Sequence, residues 1–240
     1  MRWCISASAR YNGVVKRQHI AFAALVMVLF PFVGTAALES PVAIRPTLGV
    51  VVESLLDPSL ASRVASPSIN FNFGSGLVLP WMPGSRFSFE PSADIYYYNA
   101  EYTANGQAVS TDVSFSSAFV LGLLLDAPLV YSLPAGPNFT FGFGAGLCLD
   151  VRVAFTTDPL NAEKTPLMNG YFWDKARFIL PSTLIRGEYK LTDRVDFGFT
   201  GRVFWPIYNL WSGDGFGFLD HGMYLVDLSV LYRLDKGAGN

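Results

Sequence analysis

Apolar and polar residues alternate with a period of two along most of the chain after residue 42. The clearest stretch is 139–155, where Phe, Leu, Val and Ala145 take the odd positions while Gly, Thr, Asp150 and Arg152 are among those at even positions. A period of two indicates a β-strand with one apolar and one polar face, because successive side chains point to opposite sides of the pleated backbone. This strand is longer than the roughly 9–11 tilted residues that cross a bilayer core.

The same alternation predicts eight strands. In each of them the charged residues lie on the face opposite the Phe, Leu and Val residues, so one face is uncharged throughout. Long and short connections alternate, with short ones at 80–85 and 191–194; the exception is 127–138, which is predicted to be longer than a tight turn. This alternation is typical of an up-and-down barrel of the outer-membrane type. The predicted strands are 43–54, 68–79, 86–98, 112–126, 139–155, 177–190, 195–205 and 223–234.

The period alone fits two barrels with their faces exchanged, one transmembrane and one soluble, of the lipocalin type. The polar face is mostly Gly, Ser, Thr, Asn and Ala with sparse charges of both signs, which suits an enclosed lumen better than a water-facing exterior. We therefore predict an all-β fold, a single antiparallel eight-stranded up-and-down transmembrane β-barrel over 43–234. Its interfacial aromatic belts are predicted to be Trp81, Tyr189 and Tyr232 at one rim and Tyr97, Trp173, Trp205 and Tyr224 at the other.

Composition and charge support an exported membrane protein. Charged residues make up only 15% of the chain, against about 25% in ordinary globular proteins. Residues 1–36 carry basic residues before an apolar run at 20–33 and small residues after it, which predicts a cleaved secretory signal peptide. The alternative, a transmembrane anchor, requires about 20 apolar residues, more than the run contains.

Loss of residues 1–36 makes the mature chain acidic. Removing their four basic residues from a net charge of −2 leaves −6, which argues against a nucleic-acid partner. Residues 235–240 are predicted to form a short tail beyond the barrel.

Two local patterns carry a resemblance to a known family. The glycine-rich stretch 142–147 and the turn 189–197, together with the eight alternating strands, resemble the OmpW-like small outer-membrane barrels, with a treponemal (spirochaetal) member as the specific expectation. The resemblance implies a narrow barrel that admits small, often hydrophobic molecules through the outer membrane. One feature departs from the family, because eight residues follow Tyr232 where such barrels usually end on an aromatic residue that helps assembly.

Thirteen charged side chains are predicted to face the lumen. They carry both signs in nearly equal number, which predicts an ion-pair network that closes a barrel of this width. The functional alternative is a constriction that passes or steers small solutes. The thirteen are Arg45, Glu53, Arg86, Glu90, Asp94, Asp150, Arg152, Arg186, Glu188, Asp196, Arg202, Asp227 and Arg233.

Catalytic and metal chemistry find little support in the sequence. The predicted mature chain has one histidine, His221, one cysteine, Cys148, and no G-x-S-x-G motif, so we predict no enzyme, no metal site and no cofactor. The predicted function is a narrow porin or conduit for small, hydrophobic solutes, with outer-membrane lipid and those solutes as partners. The alternative is a non-conducting surface-exposed adhesin or structural barrel that binds host or matrix proteins through its extracellular loops, chiefly 156–176 and 206–222.

Overall fold

A computed structural model provides the coordinates of the chain. The predicted signal peptide (1–36), the predicted tail (235–240) and residues 112–117 of one predicted strand lie outside the described residues. No helix in the described part of the chain is both long and apolar enough to cross a bilayer. The structure describes residues 43–54, 69–82, 84–102, 106–111, 118–156, 162–213, 217–218 and 220–234.

Eleven β-segments and one α-helix, α1, are found among the described residues. Short 3₁₀ turns follow the helix at Asp174–Ala176 and precede the last strand at Ile207–Leu210. In chain order the elements are β1 (Ala43–Ser54), β2 (Ile69–Pro80), β3 (Phe87–Phe89), β4 (Ser92–Tyr102), β5 (Ala108–Thr111), β6 (Ala118–Asp126), β7 (Leu129–Pro134), β8 (Phe139–Phe155), α1 (Lys164–Trp173), β9 (Ile179–Lys190), β10 (Val195–Phe204) and β11 (Gly222–Arg233).

Eight of these segments close into a ring of antiparallel pairs. The order around the ring is β1, β2, β4, β6, β8, β9, β10 and β11, and β11 pairs back with β1. At the closing seam, Leu48 of β1 lies opposite Leu228 of β11. The predicted antiparallel eight-stranded up-and-down barrel is therefore confirmed.

Two strands of the barrel wall are each divided into two segments at a proline. β3 and β4 separate at Pro91, and β6 and β7 separate at Pro128. A proline has no N–H to donate to a strand neighbour. Backbone bonding nevertheless continues around the break, because the Glu90 N–H donates to the Pro128 carbonyl at 3.0 Å and the Leu77 N–H donates to the Pro91 carbonyl at 2.9 Å.

The prediction of a long connection at 127–138 is wrong. β7 lies inside that stretch and pairs with β8, from Leu129 opposite Ala145 to Pro134 opposite Thr140. Only residues 135–138 remain as a turn, with Gly136 at a positive φ of 135°. Prolines at both ends of β7 led the sequence pattern to predict a connection here. Each proline lies at a strand terminus, where an N–H is not required for pairing.

The connections at the two ends of the barrel differ in length. Short connections lie at one end, which we call the short-turn end, and their described residues are 81–82 with 84–86, 135–138 and 191–194. The opposite end, the long-loop end, carries α1, the two 3₁₀ turns and β5. β5 pairs with the last residues of β4 within a region predicted to be a connection.

The outer surface of the barrel is apolar and its interior contains the charges. Leu48, Phe71 and Leu228 are 63%, 66% and 50% exposed on the outside of the wall. Within strands, the residues of the opposite parity are buried, as in β6 and β10. The buried residues include Asp94 of β4 and Arg202 of β10. A soluble barrel would place its charges outside, in water, whereas a lipid-facing barrel requires this arrangement.

Candidate functional site

The interior charges form three layers between the two ends of the barrel. Ten of the thirteen side chains predicted to face the lumen lie in these layers, and the structure adds Asp126 and His221. The short-turn layer contains Arg45, Glu90, Arg186 and Glu188; the middle layer contains Asp94, Asp126, Arg202 and Asp227; and the long-loop layer contains Glu53, Asp150, Arg152 and His221.

The short-turn layer is centred on Glu90, which lies at the junction of β3 and β4. Its carboxylate accepts hydrogen bonds from Arg186 Nη1 and Nη2 at 2.6 and 3.0 Å, from Ser88 Oγ at 2.7 Å, and from Arg45. Glu188 completes the layer with contacts to Arg45 Nη2 at 2.7 Å and Arg186 Nε at 3.1 Å. Two arginines and two glutamates therefore neutralise one another across the lumen.

The middle layer is centred on Arg202 of β10. Its guanidinium lies 2.8 Å from Asp94 Oδ2, 3.4 Å from Asp227 Oδ2 and 4.0 Å from Asp126 Oδ2. Thr47 Oγ1 donates a further hydrogen bond to Asp94 at 2.8 Å. One guanidinium therefore serves three carboxyl groups, all with side chains fully shielded from solvent.

Asp126 is an interior residue that the predicted set omitted. Its Oδ1 accepts hydrogen bonds from Ser182 Oγ at 2.6 Å and from the Ala127 N–H at 3.1 Å. The residue closes β6 on the same parity as the other polar residues of that strand, so the alternation already contained the signal.

The long-loop layer joins ion pairs to tyrosine hydroxyls. Arg152 Nε lies 3.0 Å from Asp150 Oδ2, and the Tyr96 hydroxyl donates to Asp150 Oδ1 at 2.8 Å. His221 Nδ1 lies 3.0 Å from Glu53 Oε1 near the mouth of the barrel. These contacts fix side chains of three strands, β1, β4 and β8, and of the segment before β11.

Glycines on the inner face make room for these side chains. A Cβ added at Gly122 would lie 2.1 Å from the Tyr96 ring, and one at Gly49 would lie 2.2 Å from the Val226 carbonyl oxygen, beside Asp227. Both distances are too short for real atoms. The small polar-face residues therefore serve to fit large charged and aromatic neighbours rather than to leave a channel.

Helix α1 fills a gap in the barrel wall at the long-loop end. The last β8–β9 pair joins Leu149 and Ile179, so β8 continues beyond its neighbour. The chain around α1 takes over the bonding there: the Asp150 N–H donates to the Phe178 carbonyl at 2.8 Å. Asn169 Oδ1 accepts from the Ala154 N–H at 2.7 Å, and Asn169 Nδ2 donates to the Ala154 carbonyl at 3.3 Å.

The inner side of α1 closes the mouth of the barrel. Met168, Tyr171 and Phe172 are buried in an apolar cluster that also contains interior residues of the strands. The Arg152 guanidinium lies 4.7 Å from the centre of the Phe172 ring. Arg177, also buried, lies 3.9 Å from the Tyr171 ring and donates to the Tyr171 carbonyl at 3.0 Å. The helix is thus attached to the long-loop layer beneath it.

Two cavities among these described side chains are small. A cavity beside Glu53, Tyr96 and Arg152 measures about 10 Å³, and one beside Glu90 and Arg202 measures about 20 Å³. Such volumes accommodate a water molecule or so rather than an organic solute.

Three residues predicted to face the lumen lie at the short-turn rim, where Asp196 is buried and Arg86 is exposed. Arg86 is exposed, and its Nη1 donates to the Tyr131 hydroxyl at 3.3 Å. The prediction for Arg86 is wrong because this residue precedes β3 and belongs to the turn, where strand alternation does not apply. Asp196 and Arg233 form a bidentate ion pair at the same rim.

The predicted aromatic belts are distributed as follows. Trp81, Tyr189 and Tyr232 are 55%, 48% and 44% exposed at the short-turn rim. At the other rim, Tyr97 is 47% exposed and stacks on Phe119 at 5.8 Å. Tyr224 and Trp205 are half-buried on the wall, whereas Trp173 ends α1 and packs against the interior cluster.

No group of three or more His, Cys, Asp or Glu side chains in the described part of the chain is arranged to hold a metal ion.

Comparison with known proteins gives structural similarity alone. No family model and no curated protein sequence matches the chain. The fold is similar to the crystal structure of Neisserial surface protein A (NspA), at 12% identity and a TM-score of 0.51, covering 82% of this chain and 100% of that one. A de novo designed transmembrane β-barrel matches at 9% identity and a TM-score of 0.40, covering 81% of this chain and 95% of that one. The crystal structure of the outer membrane enzyme PagL matches at 11% identity and a TM-score of 0.39, covering 80% of this chain and 99% of that one.

Proposed function

We propose that the protein is an exported outer-membrane barrel that is closed to solutes and acts through its long-loop end, as a surface-exposed binding or structural barrel. The observation that carries the proposal is the filled interior, in which three charged layers are followed by α1 in the mouth. Even strand number, short turns at one end and long loops at the other are typical of outer-membrane barrels. Export by residues 1–36 and kinship with OmpW-like barrels belong to the same proposal, which includes no catalytic step.

The energetics of the layers support a closed state. To pass the short-turn layer, a solute must separate Glu90 from Arg45 and Arg186. Breaking one buried ion pair by removing a partner costs about 3–5 kcal/mol, and two further layers and the helix lie beyond. Thermal opening of all of them together is therefore rare.

The exposed apolar side chains of the long-loop end support a binding role. Leu167 of α1 is 53% exposed, and Leu210 and Trp211 after β10 are 70% and 52% exposed. Trp211 Nε1 donates to the Lys175 carbonyl at 2.9 Å, which fixes the indole ring. Rigid, exposed aromatic and aliphatic groups are the usual anchors of protein interfaces. Host or matrix proteins are the proposed partners.

A narrow porin for small or hydrophobic solutes is the second candidate. The feature that favours it is the charge of the interior, because a rearrangement that separated the layers would leave a polar path compatible with water. This candidate requires a conformation other than the one described here.

Conductance and binding distinguish the two candidates. We expect the refolded chain from residue 37 to show heat-modifiable migration and β circular dichroism. In planar bilayers and in liposome swelling with a sugar and an apolar solute, we expect no signal above that of empty membranes, with a general porin as positive control. Swelling or channel steps from the folded protein would instead establish the porin.

The binding half of the proposal has its own matched variants. We expect the folded protein to bind at least one extracellular-matrix protein in a solid-phase assay. Replacing Leu210 and Trp211 by serine should weaken that binding, whereas replacing Trp81 and Met82, which are equally exposed at the short-turn end, should not. If the folded protein bound none of the extracellular-matrix proteins tested, the binding role would be overturned and only a structural role would remain.

A further inference from the structure

His221 joins the segment before β11 to the inside of the barrel. The residue is 6% exposed, and its Nδ1 lies 3.0 Å from Glu53 Oε1, near the end of β1. Its backbone has a φ of 63°, in the left-handed region that a residue with a Cβ occupies only where its surroundings hold it. The histidine is thus held in an uncommon conformation with its side chain directed at a carboxylate of the long-loop layer.

Hydrogen bonds connect this histidine to the exposed surface of the long-loop end. The Gly217 N–H donates to Asp220 Oδ2 at 2.7 Å. Asn209 Nδ2 donates to the Gly217 carbonyl at 3.0 Å and to the Asp220 carbonyl at 2.6 Å. Asn209 belongs to the 3₁₀ turn Ile207–Leu210, and the exposed Trp211 follows that turn. The residue that precedes His221 is therefore bonded directly to the turn.

The other elements around the pair also present charged or titratable groups. Arginine stays charged and tyrosine stays neutral between pH 5 and 8, whereas a histidine side chain ordinarily changes its charge in this range. A change of pH in this range therefore acts on the pair through the imidazole. The groups near the Glu53 carboxylate are Tyr98 of β4, the Ser110 hydroxyl of β5, Asp150 and Arg152 of β8, which pair with each other, and Tyr208 of the 3₁₀ turn.

We infer that the Glu53–His221 pair is a pH-dependent latch that fastens the 3₁₀ turn and Trp211 to the mouth of the barrel. An imidazolium adds the attraction of opposite charges to its hydrogen bond with the carboxylate, whereas a neutral imidazole keeps the hydrogen bond alone. The stabilisation from the charged pair is complete at pH values below the titration range of histidine. It is lost as pH rises through that range, because the fastened state binds the proton more tightly than the unfastened state.

The latch goes beyond the proposed function, since it concerns how the turn is attached and does not require that the turn bind a partner. The other side of the turn is held by contacts that contain no histidine. Lys175 Nζ donates to the Ser212 carbonyl, and Trp211 Nε1 donates to the Lys175 carbonyl at 2.9 Å. We therefore expect a rise in pH to loosen the turn rather than to release it.

Hydrogen exchange of the refolded chain from residue 37 tests the latch. The N–H groups of Trp211 and Ser212 both donate to the Tyr208 carbonyl, at 3.1 and 2.8 Å, and report on the turn. Protection at 207–213 is measured at about pH 5.5 and about pH 8, relative to the urea-unfolded chain at the same pH, so that the intrinsic exchange rate cancels. We expect protection to fall about fivefold at the higher pH, as for one partly enclosed ion pair, with no change in β10.

Two variants remove the latch and one provides the control. H221N removes the imidazole but keeps a residue type that tolerates the left-handed backbone, and E53Q removes the charge of its partner. We expect both variants to show the lower protection at both pH values. E163Q removes an exposed glutamate of the same end and should keep the fivefold fall.

Three results would overturn the inference: equal protection at the two pH values in the unmodified protein, a fall that persists in H221N, or a fall that is lost in E163Q. Heat-modifiable migration of each variant confirms that the barrel is folded, and H221N decides the outcome if E53Q does not fold. Binding of the same variants to matrix proteins is measured separately, so that failure of the latch and failure of the proposed function are distinguished.

Discussion

Glycine and charged residues on the inner face of the barrel are fitted to one another. Gly122 faces the ring of Tyr96, which bonds to Asp150, whereas Gly142 faces Arg186 and Val130 at ordinary contact distances of 3.4 Å. Two glycines of the same parity class, indistinguishable in the sequence, therefore differ in how tightly they are packed. The difference lies in which long side chain the neighbouring strand brings opposite each of them.

This contrast gives a prediction about overpacking. We expect G122A to destabilise the barrel by about 1–3 kcal/mol, because the added methyl group must displace the Tyr96 ring. G142A should change stability little. Urea unfolding in detergent, followed by heat-modifiable migration, measures both, and equal stability of the two variants would contradict the packing described here.

Glu90 provides a second prediction at the residue scale. E90Q leaves Arg45 and Arg186 without their shared charge in a buried layer, and we expect a loss of about 3–5 kcal/mol in unfolding free energy. D193N, at an exposed ion pair of the rim, should show little change because solvent screens it. The expectation fails if both variants unfold at the same urea concentration.

At the scale of elements, α1 satisfies backbone groups of β8 that have no neighbouring strand on that side. The side-chain amide of Asn169 bonds to both the N–H and the carbonyl of Ala154, as the backbone of an adjacent strand would. Strand β8 extends past β9, so its last residues would otherwise have unsatisfied backbone groups at the wall. The helix thus belongs to the barrel rather than to a loose loop.

The Asn169 bonds can be tested separately from the barrel. N169A removes two hydrogen bonds of about 1 kcal/mol each, and we expect faster hydrogen exchange and earlier proteolysis at 164–178 with little change in the exchange of β10 and β11. G170A, next to it on the same helix and with no atom near an added Cβ, is the control. Equally faster exchange in α1 and in all strands of N169A would contradict a local effect of these two hydrogen bonds.

At the scale of the whole molecule, the barrel is reversed relative to a soluble protein. Exposed leucines cover its wall, and arginines and carboxylates lie inside. Exposure to lipid makes the apolar surface favourable, while pairing offsets the cost of enclosing the charges.

Two exposed leucines test this reversal. We expect L228R, on the wall, to cost about 2–4 kcal/mol in lipid or to prevent insertion, because the charge then lies within the hydrocarbon region. L210R, at a leucine more exposed than Leu228 but located in the long-loop end, should insert normally. Folding into liposomes, monitored by protease protection, is the measurement, and normal insertion of both would indicate that the wall does not face lipid.

The sequence by itself determined the eight strands, their faces and, except at 127–138, the alternation of short and long connections. These properties follow from a period of two that each strand carries locally, so β1, β8 and β10 begin where the pattern begins. It also determined that most of the charges share the inner face, because parity assigns each side chain to one side of its strand.

Only the tertiary structure decided which charges meet, where the wall is divided and what closes it. Arg45, Glu90 and Arg186 are far apart in sequence and come together only through ring closure and strand stagger. Arg86 lies outside the interior because it belongs to a turn, where the alternation of inward and outward side chains does not apply. Helix α1 forms part of the wall because β8 continues beyond its last pair with β9. These outcomes depend on contacts between distant segments, which no local pattern encodes.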